Sequence, residues 1–175
     1  MRLRLWINLP LLLLVFLTGC AAYQIGNQSL YPQDIRTVYV PMFQSNSFRR
    51  NLGERLTEAV VKRIETVTPY KVVSDSTADS VLTGRLISEN KQVLVPTLTG
   101  DAREVQVNMQ VQVSWVDRRG QMLRDCPTIP LPDELVDIAG TGNLVPEVGQ
   151  SIATAQQQAI DRLAVQIVGM MEKPW

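Results

Sequence analysis

Side chains able to do chemistry are scarce in these 175 residues, and their scarcity is the first finding. There is no histidine, which removes the commonest metal ligand and the usual general base together. Asp75 and Asp79 lie close together, but on a polar turn after a strand they read as turn chemistry. No Cys-x-x-Cys, Gly-x-Ser-x-Gly or Gly-x-x-x-x-Gly-Lys pattern is present. The sequence therefore predicts no catalytic residue, no metal site and no cofactor. Two cysteines remain, Cys20 and Cys126. Cys126 reads as a small, partly buried apolar residue, with Arg124 the only close cation to activate it.

Cys20 has surroundings that specify its chemistry. Met1-Arg2-Leu3-Arg4 is a positive start, and residues 5–17 are apolar except for Asn8 and Pro10. That is the layout of an export signal. The run is short for a bilayer span, which needs about twenty apolar residues. At its end, Leu17-Thr18-Gly19-Cys20 resembles the lipobox of bacterial lipoproteins. The resemblance implies that residues 1–19 are removed as a signal peptide, that the Cys20 thiol is diacylated and that the new amino terminus gains a third chain. An ordinary signal peptide and a single membrane span are the alternatives. Residues 20–34 are then a lipid anchor and polar tether, and residues 35–175 a single domain. Losing Arg2 and Arg4 turns 17 basic and 17 acidic residues into 15 against 17, a net charge of −2. So balanced a chain predicts no nucleic-acid partner.

The elements behind these residues follow from periodicity. Residues 35–43 are β-branched and aromatic and predict a strand, with Pro41 at an edge or marking its end. Leu52, Leu56, Ala59, Val60 and Ile64 recur at helical spacing, with Ser47 or Asn51 able to cap the start. Residues 70–74 and 80–88 read as strands, and Gly84 as a bulge or a close backbone approach. Residues 105–115 give the cleanest pattern. Val105, Val107, Met109, Val111, Val113 and Trp115 alternate with Gln106, Asn108, Gln110, Gln112 and Ser114. The amide side is either a solvated face or a surface meant for a polar partner. Between these strands Val93, Leu94, Val95 and Leu98 make a greasy hairpin, packed on its own sheet or reaching a lipid chain or a partner's interior. Residues 121–126 can return as a short strand, and the prolines and glycines of residues 127–146 predict a long irregular loop. Residues 148–171 close the chain as a helix. The expected class is α+β: a single four-stranded, mostly antiparallel sheet with two α-helices on one face, in the order βαβββα.

Several stretches carry a resemblance to a known family. They are Cys20-Ala21-Ala22-Tyr23, Ala78-Asp79 leading into Leu82-Thr83-Gly84-Arg85-Leu86, the alternating strand, and Ala159-Ile160-Asp161-Arg162-Leu163-Ala164. Behind a lipobox, this order resembles the lipopolysaccharide-assembly lipoprotein LptE family. The resemblance implies a plug inside the large outer-membrane β-barrel LptD, helping that barrel fold and inserting lipopolysaccharide into the outer leaflet. A polar lumen would suit Gln106, Gln110 and Gln112 as barrel contacts. Family members meet lipopolysaccharide phosphates through basic residues on the sheet and hairpin. Here the tip Thr97-Leu98-Thr99-Gly100-Asp101 has none, so the implied lipid contacts fall on Arg85, Lys91 and Arg103. Ala21 rather than aspartate after the lipid cysteine implies the outer membrane, with the domain facing the periplasm. The rival expectation is an outer-membrane lipoprotein that binds and activates a cell-wall synthase. A lipid-anchored hydrolase is disfavoured by the missing histidine.

Overall fold

Leu52, Leu56, Val60 and Ile64 are all buried, and this fourfold spacing lays one side of helix α1 (Leu52–Val67) on a sheet. The computed structural model describes residues 30–96, 102–123 and 136–173. Asn51 occupies the N-cap position of α1 in a left-handed conformation, φ 67°, without a side-chain cap bond. At the other end the Thr68 N–H donates to Ile64 O and closes the helix ahead of Pro69.

The sheet departs from the sequence expectation in size and in sense. It has six strands and is mixed. They are β1 (Thr37–Tyr39), β2 (Gln44–Ser45), β3 (Lys71–Val73), β4 (Ser80–Pro96), β5 (Ala102–Asp117) and β6 (Val136–Leu144). The order is β3-β1-β4-β5-β6, and β2 also pairs with β4. β1 runs parallel to both β3 and β4, and β2 runs parallel to β4. A helical crossover between β1 and β3 makes that parallel pairing natural. Pro41 falls in the gap between β1 and β2, so it marks the end of a strand.

The second correction is β6, which lies where an irregular loop was expected. It pairs antiparallel with β5 from Val105↔Leu144 to Val113↔Val136. Its inward positions are Ile138, Gly140, Gly142 and Leu144, all buried. The two glycines let helix α2 (Ile152–Gly169) lie directly on the strand. A Cβ on Gly140 would meet Ala159 O at 2.7 Å, and one on Gly142 would collide with the carbonyl of Ala155. Of the expected return strand, the described part holds one bridge, Val116↔Met122; the rest, with Cys126, lies outside the described residues. Gly84 is a close approach, not a bulge. It sits opposite Val113, and its Cβ would be 2.5 Å from the Phe43 ring.

Helix α2 starts at Ile152 rather than at the expected residue 148, because Gly149 is left-handed (φ 79°) and Ser151 caps the helix by accepting from the Thr154 N–H. Ala155, Ala159, Leu163, Ile167 and Met171 are buried as the stripe requires, with Ile160, Ala164 and Val168 beside them. Both helices pack on one face, against Val107, Met109, Val111, Val113 and Trp115 of β5. At Leu86/Ser88 the register of β4 shifts. The shift turns Glu89 inward, its side chain 5% exposed, where it accepts from Gln156 Nε2 at 2.6 Å and Ser47 Oγ at 3.2 Å and pairs with Arg49.

The molecule has two poles. At one, the Lys173 N–H donates to Leu30 O at 2.8 Å, Tyr31 OH meets Glu172 Oε1, the Tyr31 and Tyr70 rings meet edge to face, and Tyr70 tilts against Trp115. Residues 30 and 31, the described end of the expected tether, therefore lie at the pole where β4 begins. The β4–β5 hairpin ends at the other, about 50 Å away at roughly 3.3 Å per residue.

Candidate functional site

With both helices on one side, no described element covers the other side of the central strands. Register builds that bare face row by row. Ladder partners place Arg85 beside Gln112 and Asp137, Ser88 beside Gln110 and Ala139, Asn90 beside Asn108 and Thr141, and Gln92 beside Gln106 and Asn143. Period-two alternation puts all of these on the same side. The result is a band of amides and hydroxyls across three strands, with charge only at its ends, Arg85 and Asp137 at one and Glu104 at the other.

The band is held in place by its own hydrogen bonds. Arg85 donates from both Nε and Nη2 to Gln44 Oε1, at 3.1 and 2.7 Å. Ser88 Oγ donates to Gln110 Oε1 at 3.0 Å. Gln106 Nε2 donates to Asn143 Oδ1 at 3.2 Å, and Asn143 Nδ2 to Glu104 Oε1 at 3.1 Å. Two shallow depressions interrupt the surface. One, of about 440 Å³, lies among Pro41, Met42, Gln44, Arg85 and Gln112. The other, of about 640 Å³, lies toward the hairpin among Asn90, Gln92, Asn108, Gln110 and Thr141. A face like this can engage a polar, uncharged surface through many bidentate amide contacts, and it offers no group for bond making.

The residues singled out from the sequence divide unevenly over this geometry. Gln106, Gln110 and Gln112 share the bare face with Arg85, and Gln110 is the exposed member of the three. Lys91 stands opposite Val107, at a ladder position facing the helix side. Arg103 reaches Glu147 of the turn after β6 at 3.6 Å, both exposed. The three basic residues do not converge on one site. Cys20 and the tip residues lie outside the described residues. Sequence reasoning missed Gln44, Asp137, Thr141 and Asn143. Asp137, Thr141 and Asn143 alternate with Ile138, Gly142 and Leu144, so a period-two signal existed, disguised by glycines at inward positions.

The two carboxylates on the turn before β4 differ in reach, one bonding within its turn and the other across strands. Asp75 accepts from the Thr77 N–H and Oγ1, which holds its carboxyl below the usual range. Asp79 accepts from Thr37 Oγ1 and from the Arg36 and Thr37 N–H groups, and Arg118 adds its charge; its carboxyl is also held low, chiefly by the Thr37 hydroxyl. Among the described residues no three His, Cys, Asp or Glu side chains stand together as a metal site. No described helix is long and apolar enough to cross a membrane.

The family model for lipopolysaccharide assembly, LptE, matches residues 35–171, which is the whole sheet and both helices. The chain belongs to the LptE family. Two solved structures share its fold. The uncharacterized lipoprotein B of Nitrosomonas europaea is 16% identical, with 83% of this chain and 90% of that one covered at a TM-score of 0.51. The hypothetical protein CT253 of Chlamydia trachomatis is 10% identical, with 77% and 94% covered at a TM-score of 0.53. No curated protein sequence matches. At family level, then, this LptE domain belongs to lipopolysaccharide assembly, and its bare amide face is the surface that role must be argued from.

Proposed function

We propose that this LptE-family chain is an outer-membrane lipoprotein, anchored through acyl chains on Cys20 and facing the periplasm, that plugs an LptD-type β-barrel and takes part in inserting lipopolysaccharide into the outer leaflet. The observation that carries the reading is the amide band. A surface meant only for water needs no particular chemistry, whereas here a self-bonded polar face, uncharged in its middle rows, spans three strands over a buried core. The inner wall of a large barrel is polar, and matching amides can pair with it without the desolvation cost of buried charge. Gln106, Gln110 and Gln112 are the proposed barrel contacts. Arg85, Lys91 and Arg103 are the proposed contacts for lipopolysaccharide phosphates, acting as separate points of charge along the sheet.

The decisive experiment is purification of the lipidated chain from detergent-solubilised membranes, identifying what stays bound in fixed ratio. A large β-barrel at one to one supports the plug. A soluble periplasmic enzyme in its place would overturn it in favour of a synthase activator.

A further inference from the structure

The outer side of β4 is used in two places and then left open. β1 pairs with it at Ser80 and Val81, and β2 at Arg85 and Leu86, where the Asn46 N–H donates to Leu86 O at 3.0 Å. Over residues 87–96 no described strand pairs with that side. The sheet's two outermost strands are managed differently. β3 is three residues long. β6 is closed by a cation from α2, since Arg162 Nη1 donates to the Thr141 carbonyl at 2.8 Å and to its hydroxyl at 3.1 Å. Short strands and charges laid on the edge are how sheets prevent stray pairing. β4 is neither short nor, beyond Lys91, guarded by charge. Its free stretch holds no charge after Lys91, and Val93, Leu94 and Val95 are 50%, 40% and 42% exposed. Phe48 is fully exposed beside this edge, its neighbours Ser47 and Arg49 both fixed to Glu89.

We propose that residues 90–95 of β4 take an added strand from a partner protein, an extended segment with apolar side chains at alternate positions. The unpaired ladder selects the chemistry, because acyl chains offer nothing to N–H and C=O groups and an extended backbone satisfies them in register. Apolar side chains of the added strand would meet Val93 on the helix side, beside Val105, and Val95 on the bare side, beside Glu104, where the register of β4 shifts. A second copy fits worse. Antiparallel pairing of two β4 edges sends the two tether poles to opposite ends, while both chains carry their anchor at the same pole. The inference goes beyond the plug reading, which concerns the face of the sheet and not its edge.

The test is backbone amide exchange on the full lipidated chain, in the complex isolated from membranes and after release from its partner. A bound barrel with every second amide of residues 90–95 slowed in the complex alone supports the proposal. The double variant Val93→Lys with Val95→Lys should keep the fold, both positions being half exposed, and weaken association by about tenfold or more. A bound barrel with these amides unprotected overturns the edge proposal and leaves the plug standing. A different protein with alternate protection sinks the plug and supports the edge. A chain recovered alone, or paired only with itself, overturns both.

Discussion

Four donors converge on the Asp79 carboxylate, and they come from the start of β1 and the turn after β5. One residue therefore ties three strands together at the tether pole. Asp79→Ala should destabilise the domain by about 1–2 kcal/mol, because the Arg36 and Thr37 donors lose a charged acceptor that is only partly replaced by water. The sign of its pH dependence follows from a carboxyl held below its ordinary value. Its contribution is present above about pH 4 and fades as pH falls through the lowered pKa, so wild type and variant should converge in acid. Thermal melts of both proteins at pH 7 and pH 3 check this; an unchanged gap would remove Asp79 as the cause. At the same scale, Glu89→Ala leaves Gln156 without its acceptor, and urea melts should show a loss of about 1–3 kcal/mol. The turn chemistry expected of Asp75 and Asp79 is seen at Asp75, which bonds Thr77, whereas Asp79 reaches across to β1 and Arg118. Glu89 was not legible in the sequence, because a register shift between Leu86 and Ser88 decides which way that side chain points.

Among the elements, the long alternating strand and both helices were legible because each has one buried side and one wet side. β6 was not. Its inward row reads Ile138, Gly140, Gly142 and Leu144, and two glycines among turn-forming neighbours look like a loop. Their purpose appears only when α2 is docked, since the helix backbone occupies the space a Cβ would need. Gly142→Val should therefore cost about 3 kcal/mol, by forcing α2 off the strand. A matched Thr141→Val change on the bare face should cost far less, and denaturant melts of the pair separate close packing from strand propensity. The parallel pairing of β1 was equally hidden. Three-residue strands carry too little pattern to declare their neighbours, and only the crossover through α1 sets them. On the bare face, Gln110→Leu with Gln112→Leu should leave melting of the isolated domain unchanged and cut barrel association, as read by co-purification. Unchanged association would make that face merely solvated.

At the scale of the whole molecule, one pole receives the tether and the other projects the hairpin. Removing the anchor should change location without changing fold. Expressed without its barrel partner, a Cys20→Ala chain should appear in the soluble fraction after export and melt like the wild-type domain; persistent membrane association there would mean the anchor lies elsewhere. Salt separates the proposed lipid contacts from the face. Lys91→Glu with Arg103→Glu should weaken lipopolysaccharide binding most at low ionic strength, and an effect equal at all salt concentrations would argue against those residues.

The clasp at the tether pole has a mechanical side. Leu30 and Lys173 share a backbone hydrogen bond and Tyr31 meets Glu172, so the folded chain begins and ends at nearly the same point. A pull on the proposed lipid anchor is met first by that clasp and by the end of α2.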